Sequence, residues 1–135
     1  MTPTQQSQIL EAHSVLPGSC RYAPATPEQL AAFEAEFGAI PSDFRWYLGA
    51  WGGGVVGSEW VDDITRLRNS HLKFRREAAM ASGWKKKDLF VIGWDGSGNP
   101  MGIDAGTGRV IVEDHDFGGV HVLADSLAEF LLRNR

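Results

Sequence analysis

Oxygen-bearing side chains alternate along a glycine-rich segment in the second half of the chain, in the order Asp95, Ser97 and Asn99. Such alternation could begin a calcium-binding loop, whose carboxylate and amide oxygens surround the cation. A loop of that type needs glycine at its sixth position and glutamate at its twelfth, where this sequence has Pro100 and Gly106. The segment therefore predicts a tight turn and no bound metal.

Two histidines and two aspartates surround Gly118-Gly119 and could form a zinc or acid–base cluster. If the glycines make a two-residue hairpin turn, Asp116 pairs with His121 across the strands and shares a face with Asp114. Strand alternation then sends His115 to the opposite, apolar face. One histidine with two carboxylates provides too few nitrogen ligands for a zinc site. We predict no metal and no cofactor.

The nucleophilic side chains lack the partners that catalysis needs. Ser97 lies in Gly-Ser-Gly without the Gly-x-Ser-x-Gly elbow, and Cys20 has no histidine near it in the sequence. The glycine-rich run from Trp51 to Gly57 lacks the Lys-Ser/Thr pair of a phosphate-binding loop. We therefore predict that the chain is not an enzyme.

Charge is distributed unevenly, although the net charge of −4 is small. From Ile64 to Lys87, eight lysines and arginines face Glu77 alone, which gives +7, whereas Asp88 to Asp125 carries −6. The basic run could follow a nucleic-acid backbone, with Trp84 available for base stacking. The polar face of an amphipathic helix is commonly charged, however, and the chain as a whole is acidic. We expect a solvated helix face and no nucleic-acid partner.

Length and composition predict the general class of protein. A chain of 135 residues with 43% hydrophobic content can form one domain, which we expect to span residues 1–135, around its own core. A lone cysteine, Cys20, can make no internal disulfide, as is usual in a reducing compartment. The N-terminus has no basic start before an apolar run, and no segment approaches the ~20 apolar residues of a membrane span. We expect a cytoplasmic protein with no membrane association.

Capping residues and apolar spacing predict five helices, which begin after Thr4, Thr26, Ile40-Pro41, Asp62 or Asp63, and Asp125-Ser126. In the fourth helix the apolar stripe leaves the basic residues on the opposite side. Residues at the buried positions of these helices and of the central strand should pack together: Phe33, Phe44, Leu48, Ile92, Phe130 and Leu131.

Strand patterns surround the glycine-rich turn. Leu89 to Ile92 predicts a buried strand that Trp94 caps, and Met101 to Ile103 runs back beside it as the second strand of a hairpin. Arg109 to Glu113 predicts a third strand after the Gly106-Thr-Gly108 turn. Val55 to Val61 predicts a separate short strand. The fold class is therefore α+β, a mainly antiparallel sheet of hairpins with helices packed against it.

Several of these segments, in this order, resemble the SUKH superfamily, whose best-known branch is the Smi/Knr-like domain. The resemblance covers nearly the whole chain and rests on Pro27-Glu28 to Phe37-Gly38, Ile40-Pro41, Leu48 to Gly53, Phe90 to Trp94 with Asp95-Gly-Ser-Gly, Ile103-Asp104, and Ala124-Asp125-Ser126 leading to Phe130-Leu131. Trp51 stands where many members have asparagine before Gly-Gly. The resemblance implies the same α+β fold. It also implies the role of most bacterial members, which are immunity proteins against polymorphic or contact-dependent toxins, whereas fungal relatives regulate cell-wall assembly.

The charge layout then indicates how such a protein would bind. Nuclease toxins are usually cationic where they act, so an acidic surface would both attract and cover them. We predict that a basic toxin domain binds the acidic segment through Trp94, Asp95, Asp104, Glu113, Asp114 and Asp116. Two alternatives stay open: a regulatory or scaffold module of the same fold without a toxin partner, and a small hydrolase or metal enzyme.

Overall fold

Side-chain caps set the starts of most helices in the computed structural model, which describes residues 1–134. Within these residues there are five α-helices: α1 (Pro3–Ser14), α2 (Pro27–Phe37), α3 (Ser42–Ala50), α4 (Ile64–Ala78) and α5 (Leu127–Leu131). Thr2 and Thr26 form capping boxes with Gln5 and Gln29, so the N-cap of α1 lies two residues before the predicted Thr4 cap. Asp63 caps α4, as predicted. None of the described helices is long and apolar enough to cross a membrane.

Seven strands form two antiparallel sheets in the described part of the chain. The strands are β1 (Arg21–Tyr22), β2 (Gly53–Val56), β3 (Glu59–Val61), β4 (Leu89–Trp94), β5 (Pro100–Asp104), β6 (Val110–Glu113) and β7 (Val120–Ala124). The first sheet has the order β1-β2-β3 and the second the order β4-β5-β6-β7. The predicted α+β class is confirmed.

The first sheet corrects one strand prediction. Val55 to Val61 is a hairpin rather than one strand, because Gly57 adopts a φ of 62° and reverses the chain between β2 and β3. The preceding glycines allow β1 to pair with β2, since a Cβ on Gly54 would collide with the Cys20 carbonyl oxygen. The triple glycine is therefore part of a strand as well as the end of α3.

The second sheet contains the predicted meander and a fourth strand. The β4–β5 hairpin has the predicted pairing, with a bulge between Val91 and Gly93. The predicted pairing of Asp116 with His121 is wrong: His121 pairs with Val112, and residues 114–119 form a longer loop. The loop is long because the Asp114 carboxylate accepts hydrogen bonds from backbone N–H groups inside it. Asp114 and Asp116 therefore do not share a strand face, and His115 lies in the exposed loop.

Two apolar clusters hold the fold together. The larger contains all six predicted core residues and joins the helices to one face of the second sheet: Phe33, Phe44, Leu48, Ile92, Phe130 and Leu131. The smaller lies on the side where α4 covers β4 and consists of Phe74, Trp84, Leu89, Val91 and Ile111. Through Trp84, the smaller cluster holds the chain that follows α4 against the second sheet, and a cleft opens where this chain meets the end of the sheet.

Candidate partner-binding site

A cleft of about 640 Å³ opens at one end of the second sheet. Met80 and Trp84 line it from the segment that follows α4, Ser97 from the β4–β5 turn, and Asp114 and His115 from the β6–β7 loop. Three separate chain segments therefore meet here. We call residues 114–119 the acidic loop.

Trp84 forms the apolar base of the cleft and is only 8% exposed. Its indole Nε1 donates a hydrogen bond to Glu77 Oε1 at 3.1 Å. Its ring lies near those of Trp94 and His115, with centroid distances of 6.2 Å and 6.1 Å. Trp94 itself is half-buried, with the Lys73 ammonium 4.0 Å from its ring centroid. The predicted anchor Trp94 is therefore covered by a side chain of the protein itself.

Glu113 positions the segment that carries Trp84. Its carboxylate accepts backbone hydrogen bonds from Lys85 at 2.9 Å and from Lys86 at 2.7 Å. The residue is 7% exposed, so these two N–H groups provide the solvation that water would otherwise give to the charge. Glu113 belongs to the predicted binding set, but its carboxylate faces the protein's own backbone.

Asp95 organises the β4–β5 turn that borders the cleft. Its Oδ1 accepts N–H hydrogen bonds from Ser97 and Asn99, both at 2.9 Å, and its Oδ2 accepts one from Asn99 Nδ2 at 3.0 Å. Asn99 Oδ1 in turn accepts a hydrogen bond from the His115 N–H at 2.9 Å and lies against His115 Nδ1. The turn predicted from alternating oxygen side chains is confirmed, and Asn99 links it to the acidic loop.

Asp114 and Asp116 carry the charge of the acidic loop. Asp114 Oδ1 accepts hydrogen bonds from the N–H groups of Phe117 at 3.1 Å and Asp116 at 2.8 Å, and these bonds lower the pKa of its carboxyl group. Asp116 is exposed, and its Oδ1 lies 3.1 Å from His115 Nε2. A lowered pKa keeps Asp114 ionised at neutral pH, so the loop presents negative charge to solvent although Asp114 also shapes the turn.

Asp104 lies apart from the other predicted residues, at the opposite end of β5 from the cleft-lining turn. The Lys86 ammonium, 2.9 Å from Oδ1, is the largest of several groups that lower the pKa of Asp104 to about 2. The Thr107 hydroxyl and the Gly106 N–H also donate to this carboxylate. The structure therefore brings Asp95, Glu113, Asp114 and Asp116 to one end of the sheet and leaves Asp104 in a separate, internally paired turn.

Several exposed apolar side chains lie near the cleft end of the second sheet, and the sequence analysis did not predict them. Met80 is 59% exposed, Phe117 90%, Val120 46% and Val122 52%. Phe117 lies in the acidic loop, and the two valines follow it in β7. The alternating Val-His-Val-Leu run after the glycine pair was the available signal for a further strand. The exposure of these side chains depends on which other segment of the chain covers β7, and a local sequence pattern does not predict that tertiary contact.

The basic residues of α4 lie mainly on its exposed side, as predicted. Arg68 Nε lies 2.8 Å from Glu36 Oε1, and Arg66 Nη1 lies 3.1 Å from Asp63 Oδ2. The Arg75 guanidinium carbon is 4.6 Å from the Phe37 ring centroid. Much of this charge is therefore already engaged by the protein's own side chains. Within residues 1–134 there is no group of three or more His, Cys, Asp or Glu side chains arranged to hold a metal ion.

Comparison with known proteins adds a family match. A family model described as SMI1/KNR4 family (SUKH-1) matches residues 24–133, which is most of the chain. No curated protein matches the chain significantly. The matched region begins before α2 and includes every element of both sheets except β1.

Proposed function

The chain belongs to the SMI1/KNR4 family (SUKH-1), and we propose that it is an immunity protein that neutralises a polymorphic or contact-dependent toxin by direct binding. The family is generally associated with immunity proteins. In this proposal the protein acts without catalysis and without a cofactor, and it meets the toxin in the cytoplasm.

The observation that carries the proposal is the combination of charge and apolar surface at the cleft. Specific interfaces have an apolar centre with a polar rim, and aromatic side chains dominate their binding energy. Met80 is 59% exposed and lines the cleft, as does the ionised Asp114 of the acidic loop. Phe117 is 90% exposed in the same loop, next to the cleft-lining Gly118. A side chain as large and apolar as Phe117 is costly to leave in water unless a partner covers it.

The sign of the charge favours a basic partner. The ionised Asp114 and the exposed Asp116 would attract a cationic toxin surface and slow the approach of an acidic one. The arginines at the start of α4 are already paired, because Glu36 and Asp63 engage Arg68 and Arg66. A nuclease toxin would present such a cationic surface, because its substrate is a polyanion.

The test is binding and protection with the toxin domain encoded by a neighbouring reading frame. Co-expression of the wild-type protein should rescue cells from that domain, and the two purified proteins should form a complex. Phe117→Ala should weaken the complex roughly 30- to 150-fold, because burying this side chain contributes about 2–3 kcal/mol.

Val15→Ala is the matched control, because Val15 is also exposed, at 78%, but lies at the C-terminal end of α1. It should leave binding unchanged. If the wild-type protein neither binds nor protects against any neighbouring gene product, the scaffold or regulatory alternative replaces this proposal.

A further inference from the structure

The β7 strand forms an open edge of the second sheet. In the described part of the chain β7 pairs with β6 on one side, and no strand pairs with it on the other. The opposite edge differs, because the Asp62 N–H that follows β3 donates to the Ile92 carbonyl of β4 at 2.8 Å. Edge strands are usually protected from pairing by lysine, proline or a bulge. Along Val120-His121-Val122 there is none of these, and the register shift of β7 comes only after them, at Leu123.

Hydrogen bonding at the start of β7 shows which backbone groups face outward. The Asp114 N–H donates to the Gly119 carbonyl oxygen at 3.0 Å, so the backbone polar groups of Gly119 point toward β6. These groups alternate in direction along a strand. The N–H and C=O of His121 therefore point toward β6, and those of Val120 and Val122 point away from it.

The side chains of the same two valines form an exposed apolar strip. Val120 pairs with Glu113 and Val122 with Ile111, so both valines lie on the sheet face that carries the smaller apolar cluster. The chain that follows α4 covers Ile111 and Glu113, which are 2% and 7% exposed. It leaves Val120 and Val122 at 46% and 52% exposure. A strand added beside β7 would thus find free backbone groups and an apolar surface together.

We propose that the β7 edge accepts an extended segment of the toxin, which extends the second sheet by one strand. This inference rests on the proposed function and specifies how the partner binds. The segment has apolar residues at alternate positions, to cover Val120 and Val122, and a lysine or arginine where it passes Asp114 and Asp116. Backbone hydrogen bonds give such a complex its affinity, and the alternating side chains and the charge give it specificity.

A second copy of the protein fits this edge less well. Antiparallel pairing of two β7 strands about Val122 would bring the acidic loop of one copy close to Asp125 of the other. Both segments carry negative charge, and like charges placed opposite each other on neighbouring strands are destabilising. The charge pattern therefore favours a basic partner over self-association.

Amide hydrogen exchange, measured residue by residue, tests the proposal on the free protein and on its complex with the purified toxin domain. The amides of Val120 and Val122 should exchange rapidly in the free protein and about tenfold or more slowly in the complex, because each gains a backbone acceptor. His121 is the internal control, since its N–H points toward β6 and should be protected in both states. A stable complex in which Val120 and Val122 still exchange rapidly would overturn the proposal while leaving the immunity function intact.

A pair of variants separates backbone pairing from side-chain contact. Val122→Pro removes the outward N–H at an edge position that can accommodate proline, whereas Val122→Thr keeps both the N–H and the branched shape. The proline variant should bind the toxin domain about two- to tenfold more weakly than the threonine variant, the expected effect of one lost hydrogen bond. Equal binding by the two folded variants would refute strand addition.

If Val122→Pro does not fold, the exchange measurement on the wild-type complex still decides the question. Two further outcomes would decide against the proposal. A concentration-dependent dimer that protects Val120 and Val122 in the absence of toxin would assign the edge to a second copy. If the wild-type protein binds no toxin domain, the proposed function fails and this inference fails with it.

Discussion

Replacing Glu113 with alanine should destabilise the protein by about 2–4 kcal/mol, since a buried donor left without its acceptor costs about 1–3 kcal/mol. The substitution removes the acceptor of two backbone N–H groups, those of Lys85 at 2.9 Å and Lys86 at 2.7 Å, in a residue that is 7% exposed. The expected loss is smaller than the sum of the upper values for two unsatisfied N–H groups. Lys85 lies at the surface, where water can replace part of the lost hydrogen bonding.

Glu113→Gln gives an intermediate test of the same contact. Its side chain has nearly the same shape but a single acceptor oxygen, so one N–H keeps its partner and the other faces an amide NH₂. The expected loss is about 1–2 kcal/mol, the contribution of one charge-assisted hydrogen bond. Asp116→Ala is the control, because Asp116 is an exposed carboxylate of the neighbouring loop and its removal should change stability by no more than about 0.5 kcal/mol.

The assay is urea unfolding followed by the fluorescence of the five tryptophans, which reports global unfolding. We expect the free energy of unfolding to be highest for the wild-type protein, lower for Glu113→Gln and lowest for Glu113→Ala. An alanine variant as stable as the wild-type protein would show that Glu113 is free for a partner and is not a structural group.

Three further predictions concern the core, a half-buried carboxyl group and catalysis. Phe130→Ala should cost about 3–5 kcal/mol of stability because Phe130 is 0% exposed, and an unchanged thermal midpoint would show that α5 does not pack as described. Burial raises the pKa of Asp62 from 3.8 to about 6, so this group binds its proton more tightly in the folded state, and its ionisation costs stability as the pH rises through that range. Asp62→Asn should therefore stabilise the protein by about 1–2 kcal/mol near pH 7.5 and by little near pH 4. Chemical denaturation at the two pH values checks this, and a variant that is stabilised more at pH 4 than at pH 7.5 would contradict it. Alanine at Ser97, at Cys20 or at His115 should leave protection against the toxin intact in a cell-survival assay, and loss of protection with unchanged toxin binding would favour an enzyme.

Much of the fold follows from local rules that can be read in the sequence. The starts of α2 and α4 are set by residues no more than four positions apart, so capping chemistry predicts both correctly. Thr26 pairs with Gln29 at the start of α2, and Asp63 directly precedes Ile64 of α4. The six core residues were found because burial on one face repeats with the period of the helix or strand. Such features depend on neighbours close in the chain.

The errors arise where a contact depends on tertiary structure or on one side chain. The glycine pair at positions 118–119 suggested a two-residue turn, but the Asp114 carboxylate binds two N–H groups of the loop, and His121 pairs four residues earlier than predicted, with Val112 instead of Asp116. β1 has two residues, too few to show any periodicity. A charge count also does not reveal that Glu113 and Asp104 face groups of the protein itself.

The most direct measurement of the central claim is the association rate with the toxin domain across a salt series. The test variant is Asp114→Asn with Asp116→Asn, because an asparagine oxygen can still accept the two loop hydrogen bonds while both charges are lost. Its matched control is Arg75→Gln with Arg76→Gln on the exposed side of α4. Both variants must first be shown to unfold at the same urea concentration as the wild-type protein.

We predict that the aspartate pair slows association several-fold at low salt and that the difference disappears when the screening length falls from ~10 Å at 0.1 M to ~3 Å at 1 M salt. The arginine pair should leave the rate unchanged. If the arginine pair alters association and the aspartate pair does not, the toxin binds the helical face, the partner is acidic, and the account of the acidic loop is wrong.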